Sequence, residues 1–209
     1  MMWLFVGAVA YGQTPQVPKV VPVPPLPNVR PAPAEPTSPP ARDFVDAVTG
    51  VKMHLPAGWN LSRRDGELST FRLDARSAVP QTRLRAVAAL GFNPYPWSTF
   101  SGEYFYLSAT PRSTAEACAA QATGKPNKAA TATTVDSVAF AHGHDEHGKI
   151  CVESRDEVLT ALRKGSCVRL DLVITTFCAE PSGARDLTEN EMEKLRERLQ
   201  GVVGAVKLK

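Results

Sequence analysis

The stretch EVLTALRKGSCVRLDLVITTF, residues 157–177, decides the fold class. Val168, Leu170, Leu172 and Ile174 recur at every second position, the period of a strand with one face buried. Before them, Glu157 to Arg163 reads as a partner arm, and Lys164-Gly165 between the arms is a two-residue turn. Two strands joined that tightly pair antiparallel. The chain is therefore expected to form an antiparallel hairpin here.

Working outward, Val51, Met53 and Leu55 alternate with Lys52 and His54 as another half-buried strand, stopped by Pro56-Ala57-Gly58 ahead of Trp59. A further strand is expected over Leu68 to Asp74, after the polar turn Arg63-Arg64-Asp65-Gly66. Leu84 to Phe92 is apolar, and its period leaves strand and helix both open. Tyr104 to Leu107 reads as a strand ended by Pro111, and Val135 to Ala141 as another. Residues 123–133 read as a loop. Ser113, with Glu116 three residues on, predicts a capped helix to Ala122. Near the C-terminus Thr188 and Glu191 form a second capping box. Met192, Leu195, Leu199, Val202, Val203 and Val206 follow at helical spacing, with Val206-Lys207-Leu208 leaving as a short strand.

The opening strand with Leu55-Pro56-Ala57-Gly58-Trp59, and the terminal helix running into Val206-Lys207-Leu208, resemble the ends of PsbP/Mog1-like domains. The layout between them, strand-rich with one inserted helix, is similar too, over residues 44–209. The resemblance implies an α+β fold: a mostly antiparallel sheet flanked by helices. That fold serves binding and accessory roles in unrelated settings, so the resemblance carries no activity with it.

The N-terminus reads differently. Trp3 to Ala10 is a short apolar segment ending in small residues, as in a secretory signal, although no Lys or Arg precedes it. Ala8-Val9-Ala10 fits a cleavage pattern, and Ala10-Tyr11-Gly12 nearly so. Residues 13–41 are dominated by proline, which leaves few amide donors and no packable face. The expected organisation is a signal-like segment at 1–12, a disordered proline-rich linker at 13–41 and one globular domain at 42–209. A secreted or periplasmic location follows from the signal reading. Net charge is +3, too small to argue for nucleic acid. No apolar run approaches the roughly 20 residues of a membrane span.

Four cysteines in a chain read as exported predict two disulfides. Cys167 and Cys178 lie at opposite ends of one strand, roughly 30 Å or more apart at strand rise. They cannot pair, because a disulfide needs its Cα atoms within about 7 Å. Extending the hairpin register from Lys164-Gly165 brings Cys151 opposite Cys178, though it crosses polar Glu153 to Asp156. The expected pairs are Cys151–Cys178 and Cys118–Cys167.

Two clusters are candidate sites. In HGHDEHG, residues 142–148, His142 and His144 fall on one side of a strand, and His147 or Asp145 could close a zinc or copper site. The alternative is a solvated loop whose glycines serve the turn, and the spacing matches no established zinc signature. Aromatic residues gather around Pro94 and Pro96, so Tyr95, Trp97, Phe100 and Tyr104 are a candidate binding surface; the alternative is packing over the sheet. Asn60-Leu61-Ser62 is a formal glycosylation sequon. No phosphate loop, nucleophile elbow or dinucleotide fingerprint occurs, and no catalytic residue is assigned. The expectation is an exported non-enzymatic binding or accessory domain without a cofactor, its partner an unidentified protein or small ligand. The alternatives are a metal-binding protein using His142–His147 and an unrecognised hydrolase.

Overall fold

A computed structural model describes residues 38–63, 81–123 and 129–208, apart from the side chains of His147, Lys149 and Pro181. The signal-like segment, most of the proline-rich linker and the strand expected over 68–74 lie outside the described residues.

The elements run β1 (Arg42–Val45), β2 (Val51–Leu55), β3 (Trp59–Ser62), β4 (Arg83–Leu90), β5 (Phe100–Pro111), α1 (Ala115–Ala120), β6 (Thr131–Val135), β7 (Val138–Lys149), β8 (Val152–Arg163), β9 (Ser166–Phe177), the single turn α2 (Ala179–Ser182), α3 (Glu189–Gly204) and β10 (Lys207–Leu208). Seven strands form one sheet in the order β3-β4-β5-β9-β8-β7-β6, and β1-β2-β10 form a second. Every named pairing is antiparallel. The class is the α+β one expected.

The central hairpin follows the alternation of its sequence. Arg163 faces Ser166 across Lys164-Gly165, whose φ values of 47° and 75° suit a two-residue hairpin turn. Val168, Leu170, Leu172 and Ile174 all point to one face, into the core with Phe105 and Leu107 of β5. On that face lies α3, which buries Met192, Leu195, Leu199, Val202 and Val203. Each such side chain contributes about 1.5–3 kcal/mol on leaving water. Thr188 accepts from the Glu191 amide and Glu191 reaches back to the Thr188 amide, so the expected capping box starts this helix. Its other half is held where Arg198 comes within 3.7 Å of the fully buried Glu103.

The opposite face carries α1. Cys118 of α1 is disulfide-bonded to Cys167 of β9, and Thr160 Oγ1 donates to the Cys118 carbonyl over 2.8 Å. The bridge spans 49 residues of sequence, for which the chain-entropy account gives about 4 kcal/mol. Arg169, Asp171 and Asp156 are buried together on the same face.

Three expectations are corrected. The cap of α1 is Thr114, which accepts from the Ala117 amide, not Ser113. Residues 131–135 are a strand rather than loop: they pair with 138–142 across Asp136-Ser137, both at positive φ. Third, residues 142–149 are not a loop. They continue β7, because the β8–β9 ladder runs unbroken through Glu153–Asp156 to Val152–Phe177, and β7 pairs with β8 along its whole outer half. Polar side chains placed opposite one another there satisfy each other, so polarity did not break the ladder. The ambiguous segment after Thr82 is a strand, β4, inserted between β3 and β5.

Candidate functional site

Where β7 and β8 run past the apolar core, their α3-facing side changes character. Along β8, Leu159 and Ala161 give way to Glu157, Arg155 and Glu153 at the same two-residue spacing. The partners on β7 are in register with them: His144 opposite Glu157, Glu146 opposite Arg155, Gly148 opposite Glu153. The first half of α3 stands over this strip without filling it. A cleft of about 170 Å³ remains.

Its floor is apolar: Leu172 and Ile174 from β9, Met192 and Leu199 from α3. Its rim is polar: His144, Arg155 and Glu157 from the sheet, Glu193, Arg196 and Gln200 from the helix. The rim groups hold one another. His142 Nε2 donates to one Glu157 oxygen, and His144 Nδ1 lies 3.5 Å from the other, so this carboxylate sits between two imidazoles. Thr131 Oγ1 is 3.4 Å from His142 Nδ1. Arg155 donates to Glu153 over 2.9 Å and to Thr176 Oγ1 over 3.3 Å, and its Nε is 3.7 Å from Glu146. Across the cleft, Arg196 donates to Glu189 over 3.0 Å and to Glu193 over 3.1 Å.

The start of α3 is fixed by Glu191. The Arg185 guanidinium bonded to it, with the Thr188 amide and hydroxyl, brings its carboxyl down to about 2 against the opposition of burial. An ionised group at that position also complements the helix dipole.

The sequence candidates distribute as follows. His142 and His144 do share a face, joined through Glu157. Among the described residues no set of His, Cys, Asp and Glu is disposed to hold a metal ion; the His147 side chain lies outside them. Gly143 does not serve a turn: a Cβ there would lie 1.9 Å from the Ala122 carbonyl oxygen, so it lets the end of α1 approach the strand. The aromatic surface is corrected. β5 lies between β4 and β9, and its side chains are buried on both faces of the sheet. Phe100 joins the α3-side core, and Tyr104 stacks on Tyr106 at 5.9 Å on the other face with Val87 and Val173. Tyr95 is half-buried. Trp97 alone of the four is exposed, at 80%, with φ 68°. Of the two expected disulfides, Cys118–Cys167 is closed, whereas Cys151 and Cys178 meet at the sheet end with both thiols free.

Sequence reasoning missed Arg155, Glu157 and the α3 wall. The available signal was the two-residue spacing of Glu153, Arg155 and Glu157, which mirrors that of His142, His144 and Glu146 across the turn at Ile150-Cys151.

No protein-family model matches the chain, and no curated protein matches it. Solved structures do. The chain is similar to a Bacteroides thetaiotaomicron protein at 12% identity and TM-score 0.44, covering 80% of this chain and 48% of that one, so it spans about half that protein's length. It is similar to the cyanobacterial PsbP of Synechocystis sp. PCC 6803 at 12% identity and TM-score 0.45, covering 81% and 92%. A third is LpqN, involved in cell envelope biogenesis of Mycobacterium tuberculosis, at 9% identity and TM-score 0.38, covering 81% and 90%. None of the three reaches a TM-score of 0.5.

Proposed function

We propose that this chain is an exported, non-enzymatic binding domain, carried on its proline-rich segment, whose ligand places an apolar group in the cleft between α3 and the outer half of β7–β9. One observation carries the reading. An apolar floor of the buried residues Leu172, Ile174, Met192 and Leu199 lines the bottom of the cleft beneath a rim of polar groups already fixed by their own pairs. Concave apolar sites with a few converging polar groups are where small ligands bind. The cleft's 170 Å³ is comparable to the roughly 150 Å³ at which an apolar cavity takes up benzene. The Cys118–Cys167 bridge supports an oxidising compartment.

The test is an NMR titration of the full chain with benzyl alcohol. Shifts confined to Leu172, Ile174, Met192 and Leu199, abolished when Met192→Trp fills the cleft, are expected. Saturable shifts elsewhere, with those four residues unmoved, would refute the assignment.

A further inference from the structure

We propose that Cys151 and Cys178 form a thiol–disulfide exchange site for low-molecular-weight disulfides, with Cys151 as the attacking thiol and Cys178 as the resolving one. Neither cysteine is among the residues lining the cleft, so this is a second site.

The two cysteine pairs differ in what can reach them. Cys118 and Cys167 are fully buried between α1 and the sheet. Exchange requires a reagent to touch a sulfur, so that bridge is out of reach while the domain stays folded. Cys151 is exposed in the turn between β7 and β8, at φ 62°, beside the exposed Ile150. Cys178 is half-buried directly after β9. The ladder sets them opposite each other: Val152 pairs with Phe177, and one residue further the Cys178 amide donates to the Cys151 carbonyl. Opposed residues of an antiparallel pair have Cα atoms about 4.5–5.5 Å apart, within the span of a disulfide. The β8–β9 pairing holds that spacing with the sulfurs bonded or not, so the pair can close and reopen without the hairpin giving way.

The two roles follow from exposure and from the contact between the thiols. A reagent meets Cys151 first. The thiol hydrogen bond to Cys151 keeps the proton on Cys178, and burial and the nearby Glu153 carboxylate act in the same direction. In the first step the Cys151 thiolate attacks one sulfur of a disulfide RSSR. That S–S bond breaks, one thiolate leaves, and a mixed disulfide forms on Cys151. Capping Cys151 also ends its hold on the Cys178 proton. Cys178 then deprotonates and attacks the Cys151 sulfur, expelling the second thiolate. Two cysteine thiols are oxidised, one RSSR is reduced to two RSH, and both cysteine protons end on the departing thiols. An accessible cysteine beside a resolving partner is the arrangement found where such oxidation is reversible.

The experiment uses oxidised and reduced glutathione on the full chain, with alkylation and peptide mapping as the readout. Starting from the 151 and 178 thiols reduced, oxidised glutathione should close the 151–178 link. Cys178→Ser should stop with glutathione on Cys151. Cys151→Ser should take up glutathione on Cys178 roughly tenfold more slowly, as the less accessible thiol. Reduced glutathione should then reopen 151–178 in the unsubstituted chain and leave 118–167 closed until denaturant is added. Equal rates in the two variants, or faster uptake on Cys178, would overturn the assignment of roles. A 151–178 link as resistant to reduced glutathione as 118–167 would overturn the exchange site, and that measurement needs no variant to fold.

Discussion

The Cys178 amide donates to the Cys151 carbonyl over 3.3 Å, which sets two cysteines side by side at the end of the β8–β9 ladder. The Cys151 thiol, hydrogen-bonded to that of Cys178, raises the latter above its ordinary range. Exchange with oxidised glutathione would close the pair, the two thiols giving up two protons and two electrons and glutathione leaving as thiol. Peptide mapping of the full chain, kept free of reductant and exposed to oxidised glutathione, is expected to recover 118–167 and 151–178 links. A 118–178 or 151–167 link would contradict the β8–β9 register.

Gly143→Ala should destabilise the domain by about 1–3 kcal/mol, the range for overpacking a tight site. The new methyl would meet backbone, the Ala122 carbonyl, which cannot step aside as a side-chain end can. Urea unfolding of the variant checks this, with Gly201→Ala as comparison. No neighbour lies within 4 Å of a Cβ at Gly201, a helical position where alanine is the better helix former. Gly201→Ala should be neutral or stabilising.

Acid should weaken the start of α3. The Glu191 carboxyl titrates near 4.5 when unfolded and near 2 when folded, so the folded state favours its ionised form. Its contribution is full above about pH 4.5 and drains away as pH falls toward 2. Asp46 moves in the same direction: burial opposes ionisation, but the Arg85 and Thr49 hydrogen bonds outweigh it. Glu191→Gln is expected to cost about 1 kcal/mol at pH 6, since Arg185 is half exposed, and almost nothing at pH 2. A gap between variant and wild type that stays constant with pH would argue against the Arg185 pairing.

Zinc or copper should bind weakly and leave the melting temperature nearly unchanged. Both described imidazoles of the histidine run are already engaged by Glu157, and a structural metal would instead make folding metal-dependent. Calorimetric titration with melting curves, on wild type and His144→Ala, tests this. Submicromolar affinity at one equivalent, lost with His144, would reverse the expectation.

The local elements were legible because local sequence causes them. The alternation from Val168 to Ile174, the two-residue turn at Lys164-Gly165, and the capping box with its apolar stripe from Met192 each record which face of one element is buried. The neighbourhood of Cys151 and Cys178 was legible for the same reason, since counting residues from a tight turn carries the register along a ladder. The sequence left Phe100 and Tyr104 open between a binding surface and packing over the sheet, because an aromatic-rich segment looks the same at an edge and at the centre of a sheet.

By itself, then, the sequence determined the antiparallel hairpin, the terminal helix and its cap, and the α+β class. The tertiary structure alone decided that β7 and β8 continue through their polar halves, that Glu157 lies between His142 and His144, and that α3 leaves a cleft above Leu172 and Ile174. The physical reason is that hydrophobic periodicity specifies a strand only where one face is buried. Where both partners are polar, pairing depends on which residue stands opposite which, and that is settled by the register inherited from the packed core.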